Sequence, residues 1–168
     1  MWVNPGEIDG VAGHDDDGNG IVDDIYGADF SSPGNPSGDP MDNNGHGTHT
    51  AGTIAAPRDG TGIDGVAGVA GVDGQQTKLM AIKVLNKYGH GSLTTILRGL
   101  NYAVSKSAQI SNNSWRSCSG QATSRVVLKD VLENIPNHLF VSAAGNNRIR
   151  IEDAQKERIY FGQVNHLA

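Results

Sequence analysis

Apolar residues recur at regular spacings only in the second half of this 168-residue chain. Lys78–Leu85 is a short apolar-rich run of the length and character of a buried strand. Ser92–Lys106 sets Leu93, Ile96, Leu97, Leu100 and Val104 at helical spacing. Ala108–Ser114 predicts a short strand, Ser124–Asn134 a helix through Val127, Leu128 and Val131, and His138–Ala143 a further strand. Strand, helix, strand, helix, strand with modest connections implies parallel crossovers, and hence an α/β fold: a three-layer, mostly parallel sheet. Ligands in such sheets sit at the carboxyl ends of the strands.

The first half reads differently. Residues 1–45 are dominated by Gly, Pro, Asn and Asp and predict irregular structure, with only short apolar pieces such as Ile21-Val22 and Ile25-Tyr26. So long a stretch without regular structure is uncommon in a compact domain unless ligands or ions organise it. His46–Ala56 predicts a helix closed by Pro57, and residues 58–77 a Gly-rich loop. The hexapeptide Ile-Asp-Gly-Val-Ala-Gly occurs at 8–13 and again at 63–68, a coincidence of composition rather than a structural repeat.

The length suits one domain with its own core. Apolar content of 37%, aromatic content of 5% and 23 glycines favour a loop-rich α/β enzyme of extracellular type over a helical bundle. The net charge of −5 is unevenly spread: Met1–Pro57 holds ten acidic residues and no Lys or Arg. No nucleic-acid partner is expected, because phosphate contacts need clustered Lys and Arg. Cys118 is the only cysteine, so no internal disulfide forms. No apolar run approaches the roughly 20 residues of a membrane span. Met1–Gly6 has neither the charged leader nor the apolar core of a signal peptide.

The acidity concentrates in Asp15-Asp16-Asp17-Gly18-Asn19-Gly20-Ile21-Val22-Asp23-Asp24. Oxygen donors at alternate positions followed by Gly form the first half of an EF-hand-type calcium loop. Asp15, Asp17 and Asn19 would supply side chains, Ile21 its carbonyl, and Asp23 or Asp24 a further carboxylate. The closing Glu of the full pattern is absent, since Tyr26 stands in its place. Five carboxylates in ten residues repel one another without a cation. Structural calcium is therefore expected, with a solvated acidic loop as the other reading.

The segment Asn44–Ala56, NGHGTHTAGTIAA, places an imidazole at the mouth of a helix otherwise filled largely by Gly, Ala and Thr. A general base has to be exposed on one side and rigidly held on the other, and a small-residue helix permits that. His46 and His49 also share a helix face, but the zinc-hydrolase pattern needs His residues four apart with a Glu after the first, and here Gly47 follows. Nearly a hundred residues on, Val141-Ser142-Ala143-Ala144-Gly145-Asn146-Asn147 ends a predicted strand on a carboxamide able to donate an N–H to an oxyanion.

Both segments, in this order, closely resemble those of subtilisin-like serine proteases (subtilases, peptidase S8). The run Asp15–Phe30 followed by Pro40-Met41-Asp42 is most similar to the apicomplexan-type and related bacterial members. The resemblance implies a subtilisin-like sheet, His46 as general base with His49 in support, and Asn146 as oxyanion donor. It extends without a gap from Ile82 to Ala103. There it puts Gly89, His90 and Gly91 on one wall of a cleft for extended polypeptide, with Leu93 and Ile96 lining a distal apolar pocket. Those two side chains serve equally as helix core. Ser114, Trp115 and Arg116 form the opposite wall. Arg116 departs from the usual Gly, and would either narrow the primary pocket or attract an acidic substrate residue. The family also implies structural calcium, an inhibitory propeptide as a further partner, and a secretory or secreted location.

Acyl transfer needs a nucleophile and an orienting acid besides the base. The family's Ser lies in a Gly-Thr-Ser-x-Ala helix start, absent here, and its Asp lies in an Asp-Ser/Thr-Gly that this chain also lacks; Asp9-Gly10 follows no strand. Residues 1–147 are thus expected to be a partial, incomplete catalytic domain, and residues 148–168 a divergent tail. The intact relative would be a serine endopeptidase, and the 168-residue chain alone is expected to be inactive. A non-catalytic calcium- and peptide-binding pseudoenzyme is the alternative, with a zinc hydrolase third.

Overall fold

The computed structural model describes residues 1–67, 77–115, 122–135, 137–143 and 146. It contains β1 (Gly27–Asp29), α1 (His46–Ala55), β2 (Ala81–Lys83), α2 (Leu93–Ser105), β3 (Ile110–Asn113), α3 (Ala122–Glu133) and β4 (Leu139–Ser142). The chain divides into two compact units, Met1–Asn101 and Tyr102–Ala168, with the division falling inside α2. The tail 148–168 lies outside the described residues.

In the first unit β1 and β2 pair in parallel, with Gly27 opposite Ala81 and Asp29 opposite Lys83. β1 corrects the expectation that residues 1–45 are wholly irregular. Its backbone finds partners in β2, and no local apolar alternation announces it. The approach is close enough that a Cβ on Gly27 would lie 1.8 Å from the Ala81 carbonyl oxygen, and Gly27 holds a φ of 134° that side chains rarely adopt. Lys83 Nζ meets Asp29 Oδ2 at 2.9 Å. Burial works to raise the Asp29 carboxyl, but hydrogen bonds from Ser31 and Lys83 outweigh it and hold the group below its ordinary value.

The buried apolar residues of this unit include Ile21, Ala28, Phe30 and Leu100. α2 lies close over β2 at Gly99, where a Cβ would stand 2.5 Å from Val84 Cγ1 and 2.9 Å from Ile82 Cγ2. Its N-terminus is closed reciprocally. Ser92 Oγ accepts the Thr95 amide at 3.2 Å, and Thr95 Oγ1 accepts the Ser92 amide at 3.0 Å.

In the second unit β3 and β4 also pair in parallel, Ile110 with Leu139 through Asn113 with Ser142, and α3 lies between them in sequence. His138 stitches the start of the pair, with Nδ1 2.7 Å from the Ala108 carbonyl and Nε2 2.8 Å from Ser111 Oγ. Phe140 is buried and meets Trp115 edge-to-face, ring centroids 6.0 Å apart. The four predicted elements from Ser92 onward and the strand within Lys78–Leu85 all appear, each within a few residues of its expected ends. Among the described residues no helix is long and apolar enough to cross a membrane.

Candidate functional site

His46 is the first residue of α1 and is exposed. Gly45 precedes it as the N-cap in a left-handed conformation, φ 96°, and offers no side-chain cap. The acceptor comes instead from Asp42. Its Oδ1 takes the amides of Asn44 (2.9 Å) and Gly45 (3.0 Å), and its Oδ2 takes both the amide and the hydroxyl of Thr48 at 2.8 Å. Those bonds, the Thr48 amide first, hold the Asp42 carboxyl well below the usual carboxylate range. At the other end, Gly65 donates to the Ala56 carbonyl, Val66 to Thr53 and Ala67 to Ile54, so the last turn is closed by a passing strand of backbone. No residue of α1 is buried, and a Cβ on Gly52 would meet nothing within 4 Å. The tight approach occurs just past the helix, where a Cβ on Gly65 would lie 2.4 Å from the Ala56 nitrogen.

The His46 loop is tied to residue 87, beside the segment Gly89–Gly91. Asn44 Nδ2 donates to the Lys87 carbonyl at 2.8 Å, while its Oδ1 accepts the His46 amide at 3.4 Å. Residues 86–90 form a closed turn. Asn86 donates to the His90 carbonyl at 2.8 Å, its Oδ1 accepts the amides of Tyr88 and His90, and Gly89 takes a φ of 75°. Gly91 passes so near Val84 that a Cβ would lie 2.5 Å from its carbonyl oxygen. Gly89, His90 and Gly91 are exposed, and Leu93 and Ile96 are half-buried.

The predicted residues of the opposite wall and the predicted oxyanion donor belong to the second unit. Ser114 Oγ accepts from Asn112 Nδ2 at 2.8 Å, and Trp115 packs on Phe140. Asn146 is exposed. Arg116 lies outside the described residues.

The acidic region brings two of the expected donors, Asp17 and Asp24, together with Glu7. Glu7, Asp17 and Asp24 each bring one carboxylate oxygen within 4.8 Å of the others. Glu7 and Asp24 are buried at 3% and 0% exposure, and Glu7 Oε2 has no hydrogen-bond partner. Its Oε1 accepts the amides of Asp16 and Asp17 at 2.9 and 3.0 Å. Asn4 Nδ2 bridges Asp17 and Asp24 (2.9 and 2.7 Å), and Asn19 Nδ2 reaches Asp24 at 2.9 Å. Asp15 instead accepts the amides of Asn19 and Gly20, Asp23 accepts that of Gly13, and Ile21 is buried in the core. Sequence reasoning missed Glu7, Asn4 and Asp42. For Asp42 the signal was an Asp just ahead of a helix start, where its side chain competes for backbone amides. Nothing comparable marks Glu7. Among the described residues neither His46 nor His49 joins a group of three metal-ligating side chains.

A parallel strand pair with a helix between its strands in each unit, and an exposed histidine opening the first of those helices, define an α/β protein of the parallel-crossover class. The chain belongs to the subtilase family, whose model matches residues 9–165. It is 44% identical over 114 residues to subtilisin-like protease 1 of Plasmodium vivax, covering 67% of this chain and 16% of that protein. It is 41% identical over 105 residues to a thermostable alkaline protease of Halalkalibacterium halodurans, covering 62% of this chain and 27% of that protein. It is 40% identical over 115 residues to subtilisin Savinase of Lederbergia lenta, covering 68% of this chain and 39% of that protein. The chain thus spans well under half the length of these relatives.

Proposed function

We propose that this segment supplies the general base, the oxyanion donor and part of the peptide cleft of a secreted or secretory-compartment serine endopeptidase. The observation that carries the reading is His46. It stands exposed at the first position of α1, on a loop tied through Asn44 to the 86–90 turn. In this role His46 takes the proton of a serine hydroxyl as it attacks the peptide carbonyl, then returns it to the leaving amine. The Asn146 carboxamide donates to the oxygen on which negative charge develops. An extended substrate, or an inhibitory propeptide in its place, runs along Gly89, His90 and Gly91, with Leu93 and Ile96 at the distal pocket, and Ser114, Trp115 and Arg116 contribute further contacts to it. The serine and the triad Asp come from sequence beyond this chain, which completes a three-layer, mostly parallel subtilisin-like sheet; residues 1–147 are its share, and the chain alone does not hydrolyse peptides.

We further propose that the acidic region binds structural calcium. The donors at Glu7, Asp17 and Asp24 are all oxygens, as a hard cation prefers, and a buried Glu7 oxygen without a partner is what a cation would satisfy. Calcium there would hold residues 4–24 together. The same observation favours a second reading, a calcium- and peptide-binding pseudoenzyme without turnover.

A fluorophosphonate separates the two. The full-length polypeptide carrying this sequence is expected to take up one adduct at a serine, and His46→Ala is expected to abolish labelling and peptidase activity. A full-length polypeptide that stays unlabelled yet binds peptide overturns the protease reading in favour of the pseudoenzyme.

A further inference from the structure

α1 has little in its own sequence to hold it still. Two glycines and three threonines among its ten residues are poor helix formers, and none of the ten is buried. A helix that short is marginal in water without tertiary burial. Gly45 provides no cap, so the first-turn amides need an acceptor from outside the helix. Asp42 is that acceptor, and its reach is unusual. One carboxylate oxygen binds the amides of Asn44 and Gly45 ahead of His46, and the other binds the amide and hydroxyl of Thr48 behind it. The histidine therefore sits in the middle of a bracket closed by a single side chain. Its own backbone is pinned within that bracket, the amide by Asn44 Oδ1 at 3.4 Å and the carbonyl by the Thr50 hydroxyl at 2.9 Å. An imidazole has only two side-chain torsions, so the direction in which its ring leaves the backbone is set largely by that backbone. The Asp42 charge also lies at the end of α1 where the helix dipole favours an anion.

We infer that Asp42 is a positioning residue for His46, fixing through the 44–48 backbone the rotamer in which the imidazole is presented. The inference rests on the reading of His46 as the general base, but its test does not depend on turnover. The measurement is made by NMR on the 168-residue chain and its Asp42→Ala and Asp42→Asn variants. It reads amide exchange at Gly45 and Thr48 together with the Hα–Hβ three-bond couplings of His46. Wild type is expected to show couplings of one dominant rotamer. Asp42→Ala is expected to speed Thr48 exchange by about tenfold and to average the His46 couplings, with exchange at Ala28 and Leu100 unchanged. Asp42→Asn keeps one carbonyl acceptor and is expected to recover part of both effects. It also carries the comparison if Asp42→Ala does not fold. Faster Thr48 exchange with His46 couplings unchanged would reduce Asp42 to a helix cap and overturn the inference, as would averaged couplings in wild type. Failure of the base reading looks different. Fluorophosphonate labelling of the full-length polypeptide would survive His46→Ala, while the His46 couplings would still respond to Asp42.

Discussion

Glu7→Gln is the sharpest perturbation of the acidic site, because it removes one charge and leaves the shape. One oxygen each of Glu7, Asp17 and Asp24 lies within 4.8 Å of the others. At an effective dielectric of about 20, each such pair repels by about 3.5 kcal/mol. Glu7 enters two of the three pairs, so on paper the change relieves about 7 kcal/mol; exposure of Asp17 to solvent screens this to about 1–3 kcal/mol. The substituted carboxamide could still accept the amides of Asp16 and Asp17 through its carbonyl oxygen, and its nitrogen would replace the unpartnered Oε2 with a donor. In a chelator the variant is therefore expected to be the more stable protein. Calcium should reverse the order. A ligand bound only by the folded chain at about a hundred times its dissociation constant stabilises it by about 2.7 kcal/mol. At about 2–4 °C per kcal/mol for a domain of this size, wild type is expected to gain about 5–10 °C in Tm, and Glu7→Gln no more than about 2 °C. Thermal unfolding followed by circular dichroism, with EGTA and then with excess calcium, reads both effects. If Glu7→Gln is less stable than wild type in EGTA and responds equally to calcium, the cluster is an ordinary hydrogen-bonded knot and the cation argument fails.

Asp42 carries a pH dependence whose sign follows from its shift. Its folded pKa lies below the ordinary 3.8, so the anchoring of α1 is fully present above 3.8 and is lost only as pH falls through the lower folded value. Protection of the Thr48 amide is thus expected to persist at about pH 3; its loss near pH 4 in a hydrogen-exchange titration would contradict the structure. Gly27→Ala drives a Cβ into the Ala81 carbonyl, 1.8 Å away, and is expected to cost about 3 kcal/mol by chemical denaturation through loss of the β1–β2 pairing. An unchanged denaturation midpoint would argue against that register. Asn44→Ala removes the links to Lys87 and to the His46 amide. If the full-length protein is the proposed protease, kcat/KM should fall about tenfold on a peptide substrate; no change would mean that the two loops hold their relation without it.

What could be read from the sequence, and what could not, divides by the range of the interactions. The helices from Ser92 onward announce themselves through contacts three or four residues apart, and α2 and α3 appear within a few residues of their expected bounds. β1 does not. Gly27-Ala28-Asp29 has no alternation of its own, and it is a strand because Ala81-Ile82-Lys83 lies alongside it. The candidate site divides the same way. His46 is legible because the residues that define its setting are its sequence neighbours, whereas the Asn44–Lys87 bond spans 43 residues. In the acidic loop, spacing marked Asp17 and Asp24 as ligands but could not say which oxygens backbone amides would claim. Asp15 and Asp23 turn to the amides of Gly20 and Gly13, while Glu7, which no local pattern singles out, brings a buried oxygen close to Asp17 and Asp24. Alternating donors tell which residues are able to ligate. Which of their oxygens backbone amides claim is settled only by contacts with Asn4 and Glu7, which lie outside the alternating pattern.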